Sequence, residues 1–435
     1  MRWSVVLLFV LLSSVGCAFA QSGNAQSGDD ELRAVVIVAR HGVRTPIESE
    51  TRSDVFNAQP WPGWPSEPGL LTPHGIDALK RMGEFYKVRY GALASGCKAV
   101  AVESTNTPRT IASAKAVMSV VTPGCEVQVK ADLTADPPTI DKTKLADAIN
   151  GRTGDQPEWF THAFARPLAE MHDVLSKCAG CKAVPDFRTM MIAPGTQPVG
   201  MMASKASETR RAVVAREARK ENAVALGADF AENFLLQYVE GMPMPKVGWG
   251  RVSRAKLDDL MEMNTRYHDF MLRTPYYAQQ AAGPLVEKIS GIFTNIASHQ
   301  GTIVMNGLQP TDLVWERFFY LSAHDANLTW LGGLLRMDWA VSDETLNATP
   351  PGSALVFELR CKTGDRRSDQ TDTCSVRVMF VAQTLDQIRE LTPLTGAEKP
   401  SIAPVYVPGC SGAGPEYACT VKEFARVVNA AQPAK

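Results

Sequence analysis

The sequence predicts an α/β protein, a mostly parallel sheet flanked by helices with an α-helical region inserted into it. Three observations predict this. Residues 32 to 125 and about 272 to 435 alternate short apolar, strand-like runs with amphipathic periods, the pattern of a sheet with covering helices. Residues from about 135 to 270 instead carry Leu, Val, Ala and Met at three-to-four spacing with charges opposite, the period of helices. The chain has 435 residues, 45% of them hydrophobic, enough for two or three cores at about 150 residues each. The limits expected are 28–134 with 272–435 for the α/β part and 135–271 for the helical insertion. A composition of 45 Lys plus Arg against 46 Asp plus Glu excludes disorder, and it excludes binding of nucleic acid or acidic membrane by bulk positive charge.

Residues 1–20 read as a signal peptide. Arg2 supplies the positive start, Val5 to Leu12 the apolar run, and Ala18-Phe19-Ala20 a small-x-small cleavage site before Gln21. A lipoprotein reading of Cys17 is disfavoured because Ser14-Val15-Gly16 lacks the usual Leu. No later stretch has the ~18 apolar residues of a membrane span, so no membrane association is expected after cleavage. The leader removes Cys17 and leaves eight of the nine cysteines, an even number that in an exported chain favours disulfides.

Four local pairs are the simplest pattern. Strand-like runs Leu355 to Arg360 and Val376 to Ala382 flank a polar turn and bring Cys361 to Cys374. Cys410 and Cys419 enclose a Gly-rich loop, Cys178 and Cys181 share one turn, and Cys97 is left with Cys125. A redox or zinc role for Cys178-Ala179-Gly180-Cys181 lacks both a preceding strand and a second CxxC. Helices are expected over Asp141 to Ile149, Trp159 to Lys177 and Ser207 to Tyr238, punctuated by Pro137-Pro138 and Pro243 to Pro245.

The chemistry begins where the apolar run from Ala34 to Ala39 ends in Arg40-His41-Gly42-Val43-Arg44-Thr45-Pro46. Such a run suits a strand buried on both faces, and ligands of open α/β sheets bind beyond the carboxyl ends of strands. Two Arg around a His suit a phosphate. Guanidinium forks pair with its oxygens, a neutral imidazole nitrogen can attack phosphorus, and Gly42 lets the backbone approach. A second apolar run, Phe318 to Ala323, ends in His324-Asp325, with Asp325 expected to cap a helix starting at Ala326. A helix N-terminus there adds positive potential for an anion.

These residues resemble the histidine acid phosphatases of the bacterial periplasmic phytase and glucose-1-phosphatase kind. Trp61-Pro62-Gly63-Trp64, Leu71 to Gly75, Gly248 to Arg251, Arg273-Thr274-Pro275, Pro350 to Gly352 with Val356 to Glu358, and Gln383 to Leu394 share the likeness, as does the Cys410 to Cys419 loop. The resemblance spans essentially the whole mature chain. It implies a phosphoglycerate-mutase-like fold with a helical cap, periplasmic or secreted. It implies His41 as nucleophile, Asp325 as proton donor, and Arg40, Arg44 and His324 as phosphate ligands. Arg109 matches the remaining clamp, in a helix start with Thr107 as N-cap and Pro108 at its first position. An Arg there opposes the helix dipole, a cost that bound phosphate reverses.

A mechanism follows: His41 becomes a phosphohistidine, Asp325 protonates the leaving alkoxide and then activates water, and Arg40, Arg44, Arg109 and His324 hold the equatorial oxygens. No cofactor or metal is expected, since the seven His show neither HxH nor HExxH spacing. The expected partner is a small phosphate monoester, with no nucleic acid; the oligomeric state is not legible. Ile47-Glu48 stands where the phytases carry a Thr-Lys pair, and Glu48 repels a polyanion; both are candidate specificity residues. Ala326 replaces the family's usual Thr or Ser. Ser204 to Asn222 carries Lys205, Arg210, Arg211, Arg216, Arg219 and Lys220, either substrate-facing or a solvated helix face. The alternative function is a periplasmic phosphate-ester binding protein without turnover, which needs the clamps but neither His41 nor Asp325.

Overall fold

The chain is seen in a computed structural model that describes residues 30–47, 50, 56–134, 140–154, 162–181, 183–189, 223–298, 316–364, 369–413 and 415–433. The leader, Glu48 and the basic stretch from Ser204 to Asn222 lie outside the described residues.

Strand β1 (Asp30–Arg40) leads through the motif loop to α1 (Pro73–Tyr90), β2 (Val100–Thr105), α2 (Pro108–Val121) and β3 (Lys130–Leu133). Helices α3 (Lys142–Thr153), α4 (Ala165–Ser176), α5 (Ala223–Val239), α6 (Arg254–Leu272) and α7 (Pro275–Ala297) follow. The chain then returns to the sheet through β4 (Phe318–Ala323) and α8 (Asp325–Leu335). It finishes with β5 (Ala354–Lys362), β6 (Ser375–Ala382), α9 (Leu385–Arg389), β7 (Ser401–Val405), β8 (Cys419–Thr420) and α10 (Val421–Ala431). No described helix is long and apolar enough to cross a membrane.

The strands form one eight-stranded sheet in the order β3-β2-β4-β1-β5-β6-β7, with β8 beside β6. Parallel pairing covers the half from β3 to β1, and antiparallel pairing the half from β1 to β7. The mostly parallel sheet expected from the sequence is therefore parallel over only half its width. The reason is local. The short link from Lys362 to Ser375, closed by the Cys361–Cys374 disulfide, allows only a hairpin between β5 and β6. Cys97–Cys125, Cys178–Cys181 and Cys410–Cys419 are the other bonded pairs.

Ala34 to Ala39 are fully buried because β1 sits inside the sheet with a core on each face. Val35, Ile37 and Ala39 face a core with Leu79, Met82 and Tyr86 of α1 and Val117 of α2. Ala34, Val36 and Val38 face the larger core, which continues through α7, α8 and α10 into α4, α5 and α6. Each buried Val or Ile side chain contributes about 1.5–3 kcal/mol. Helix α1 starts where the sequence stops offering backbone donors. Pro73 occupies the first position, and the Thr72 hydroxyl accepts the Gly75 N–H at 2.9 Å. Helix α5 is apolar nearly all round; Asp229 is half-buried, and Glu232, Asn233 and Gln237 are buried with the apolar residues. Buried polar groups need partners: Glu232 pairs with Arg40, Asn233 donates to Glu50 O, and Gln237 donates to Asn233 Oδ1 and accepts the Gly248 N–H.

Candidate active site

Strand pairing brings the two motifs together. In the parallel ladder Arg40 lies opposite Ala323, so the next residues, His41 and His324, emerge side by side. Their ring centroids are 5.5 Å apart at 74°. The His41 N–H donates to Ala323 O at 3.0 Å and continues the ladder by one residue. On the other side of β4, Ser104 pairs with Ser322, which sets the end of β2 and the start of α2 beside His324. Three neighbouring strand ends thus deliver His41, His324 and Arg109, although the motifs are far apart in sequence.

His41 is 2% exposed. Its Nδ1 lies 2.9 Å from Gly42 O, which as a carbonyl only accepts, so Nδ1 carries the proton and the lone pair sits on Nε2. Burial, reinforced by Arg109, Arg44 and Arg40, pushes its pKa well below that of an ordinary histidine. The shift favours the neutral ring, with Nε2 as its nucleophilic nitrogen. The Gly42 N–H donates to Ser113 Oγ at 3.1 Å, and Ser113 Oγ donates to Arg109 O at 2.7 Å, tying the motif loop to the turn that carries Arg109. A Cβ on Gly42 would lie 2.7 Å from Leu79 Cδ1. Packing on α1 explains this glycine, in addition to the backbone approach to an anion read from the sequence.

The clamps are held by groups the motifs do not contain. Arg40 donates to Thr349 O at 2.5 Å, pairs with Glu232 on α5, and reaches Asp325 Oδ2 at 3.1 Å. Arg44 forms a two-pronged pair with Glu50, both bonds at 2.7 Å, and Glu50 Oε2 also accepts the Ile47 N–H at 2.8 Å. The Glu50 carbonyl in turn accepts from Asn233 Nδ2 at 3.2 Å. Two adjacent residues of α5, Glu232 and Asn233, thus brace both guanidinium groups. Arg109 has no carboxylate partner among the described residues and donates to His324 Nδ1 at 3.3 Å. Burial and the neighbouring Arg44 lower its pKa to about 10, still cationic at any working pH.

His324 Nε2 lies 3.0 Å from Thr105 Oγ1, and its Nδ1 accepts from Arg109, so the ring proton sits on Nε2 and the ring orients the Arg109 guanidinium. Burial and Arg109 push its pKa down to about 3. Asp325 is the first residue of α8, and the cap is His324, whose extended backbone (φ −119°, ψ 164°) completes the strand. The expected capping role of Asp325 thus shifts by one residue, because the ladder runs on past Ala323. Asn327 Oδ1 instead accepts the His324 N–H at 3.1 Å, and Asp325 Oδ1 accepts the Ala326 N–H at 2.8 Å. Burial opposes the Asp325 charge, but Arg40, His268 and His324 outweigh it and hold its carboxyl well below the usual carboxylate range.

Arg40, His41, Arg44, Arg109, His324 and Asp325 are therefore brought together. Ile47 lies on the loop beside Glu50. The sequence reading missed Glu50, Glu232, Asn233 and Thr105. Of these, Glu232 and Asn233 leave a signal, an adjacent polar pair in a mostly apolar helix. Among the described residues, no group of three or more His, Cys, Asp or Glu is arranged to hold a metal ion.

The chain is similar in sequence and fold to known proteins. The profile of the histidine phosphatase superfamily (branch 2) matches residues 31–381. The chain is 30% identical to the phytase AppA of Escherichia coli (strain K12) over 434 residues, covering 95% of each chain. It is 23% identical to a glucose-1-phosphatase of Salmonella typhimurium, over 92% of each. Among solved structures it resembles Hafnia alvei phytase in complex with myo-inositol hexakis sulphate, with a TM-score of 0.73 at 26% identity, covering 93% of this chain and 98% of that one.

Proposed function

The chain belongs to the histidine phosphatase superfamily, branch 2, and is a histidine acid phosphatase that hydrolyses phosphate monoesters; from that premise we propose how its residues carry the reaction and which esters it favours. His41 Nε2 attacks phosphorus in line as the ester P–O bond breaks, giving a phosphohistidine. Asp325 gives its proton to the leaving oxygen. It then takes a proton from the water whose oxygen attacks phosphorus, the P–N bond breaks, and phosphate leaves. Arg40, Arg44, Arg109 and His324 carry the charge on the equatorial oxygens, so stabilisation is mainly electrostatic. The observation that carries this reading is His41 with its Nδ1 bonded to Gly42 O, its Nε2 without a hydrogen-bond partner among the described residues, and the guanidinium groups of Arg40, Arg44 and Arg109 close by.

Asp325 must be protonated to act as the acid, yet Arg40 keeps it ionised before an ester binds. A bound phosphate adds negative charge beside it and shares the field of Arg40. Both effects raise the carboxyl pKa, so the proton arrives with the substrate and acidic pH favours turnover.

The phytase relatives act on a polyphosphorylated substrate, and the glucose-1-phosphatase relatives on a singly phosphorylated sugar. We assign this chain to singly phosphorylated esters. Two of its three guanidinium groups already have carboxylate partners, and Glu48 adds a further negative charge by sequence. Residues 135–271 act as a helical cap domain, and the four disulfides fit a periplasmic or secreted location. Phosphate release from phytate, glucose 1-phosphate and an aryl phosphate at several acidic pH values tests the reading. Glucose 1-phosphate should outrun phytate per ester bond. A clear preference for phytate would overturn the substrate assignment, and binding of all three without release would leave a capture protein.

A further inference from the structure

Three guanidinium groups converge on the pocket, but so do three carboxylates. Arg40, Arg44 and Arg109 are matched by Glu232, Glu50 and Asp325. His41, His324 and, from α6, His268 are all pushed toward their neutral forms by burial. The charge around the scissile phosphate is therefore close to zero before substrate arrives, unusual for a pocket that takes an anion. Of the three carboxylates, Asp325 is reserved for proton transfer and Glu232 belongs to the braced end of Arg40. Glu50 is the one whose charge serves no chemical step. It is 5% exposed, engages both terminal nitrogens of Arg44, and is fixed from behind by Asn233 and in front by the Ile47 N–H.

We propose that Glu50 is a positioning and specificity-determining residue, an internal counter-anion that neutralises Arg44 so that the pocket admits one phosphate only together with a proton. The reasoning rests on the phosphatase reading above. A phosphate monoanion entering a neutral pocket leaves an excess negative charge, which is relieved when Asp325 takes up a proton. A dianion, or a second phosphate group close by, leaves still more charge unrelieved. Glu50 thus couples three properties: binding that weakens as pH rises, delivery of the proton to Asp325, and discrimination against clustered phosphates. Among the described residues, Glu103 and Glu358 are also deeply buried carboxylates that pair with basic side chains, but their partners are Lys288, Arg89 and Arg360 rather than a phosphate clamp.

Inorganic phosphate, as a competitive inhibitor, provides the test in the full-length protein. Glu50→Gln keeps an acceptor for Arg44 but removes the charge, while Glu50→Asp keeps the charge with a shorter reach. Once the ionisation of phosphate itself is divided out, the wild-type inhibition constant should rise about tenfold per pH unit between about pH 5 and about pH 7, the slope of one proton taken up. In Glu50→Gln the rise should flatten, so that near neutral pH phosphate inhibits at least tenfold more tightly than in wild type; one unit charge within several ångströms is ample for that. Glu50→Asp should restore the wild-type slope whatever its kcat. Thermal unfolding of each variant separates loss of fold from loss of coupling. Parallel pH profiles for wild type and Glu50→Gln, even with a uniform drop in kcat, would reduce Glu50 to a brace and overturn the inference. A wild type with no turnover of any monoester would instead overturn the phosphatase reading on which it rests.

Discussion

Replacing Asp325 with Asn separates proton donation from phosphate binding, because the structure allows the donor to be removed while the clamps stay in place. Arg40 loses one partner at 3.1 Å but keeps Glu232 and Thr349 O, so its guanidinium holds its position. The Asn side-chain oxygen can still accept the Ala326 N–H that Asp325 now takes at 2.8 Å, so the start of α8 survives. What disappears is the proton. General acid catalysis is worth about 10²–10⁴ in rate, and a departing alkoxide needs the full effect, whereas an activated phenolate leaves largely without help. Hydrolysis of glycerol phosphate should therefore fall about 10³-fold, or ~4 kcal/mol of barrier, and that of an activated aryl phosphate about tenfold or less. The assay is steady-state kcat/KM for both esters on the same preparation, with inhibition by phosphate, which should be no weaker than in wild type, as the control for an intact clamp. Equal losses for the two esters would refute the assignment and leave Asp325 as a structural residue of the helix start.

Other expectations follow from the same geometry. Arg109→Ala removes a cation that has no carboxylate partner among the described residues and whose proposed role is to bind phosphate, so both esters should lose activity by a similar factor, about 10²–10³, measured as kcat/KM. Glu358 is fully buried and accepts from Arg89, Tyr90 and Arg360, and Glu358→Ala should lower stability by about 3–5 kcal/mol in denaturant titration, since it leaves buried charge uncompensated. Burial alone would raise the Glu358 pKa, but Arg89 and Arg360 outweigh it and hold it below the ordinary value. Its contribution is therefore present above the pKa of the unfolded chain and lost as pH falls through the folded one. Stability measured from about pH 6 down to about pH 3 should accordingly fall less steeply in Glu358→Ala than in wild type.

The reactive core of this site is legible in the sequence because it is local. Arg40, His41 and Arg44 sit within five residues at one strand end, and His324 and Asp325 are adjacent at another. An apolar run that stops in a charged cluster marks such an end without knowledge of the partner strand. The braces are not legible for the opposite reason. Glu232 reaches Arg40 across 192 positions. Its only mark in sequence is to be a charged residue in an apolar helix, which is also what a solvated position looks like. Glu50 lies six residues from Arg44, yet nothing in its neighbourhood says that its carboxylate turns back onto the guanidinium rather than out to water. Strand direction was half legible. Helical crossovers announce the parallel half, and the Cys361 to Cys374 hairpin announces β5 with β6. The antiparallel join of β1 to β5 rests on register alone.

The central claim is that His41 carries the phosphoryl group, and trapping that group tests it most directly. Wild-type protein mixed with a ³²P-labelled aryl phosphate and denatured within milliseconds, followed by peptide mapping under alkaline conditions, should place an acid-labile label on His41. His41→Ala should show no label and no turnover while keeping the wild-type unfolding transition. Label on any other residue, or steady turnover by His41→Ala, would contradict the account.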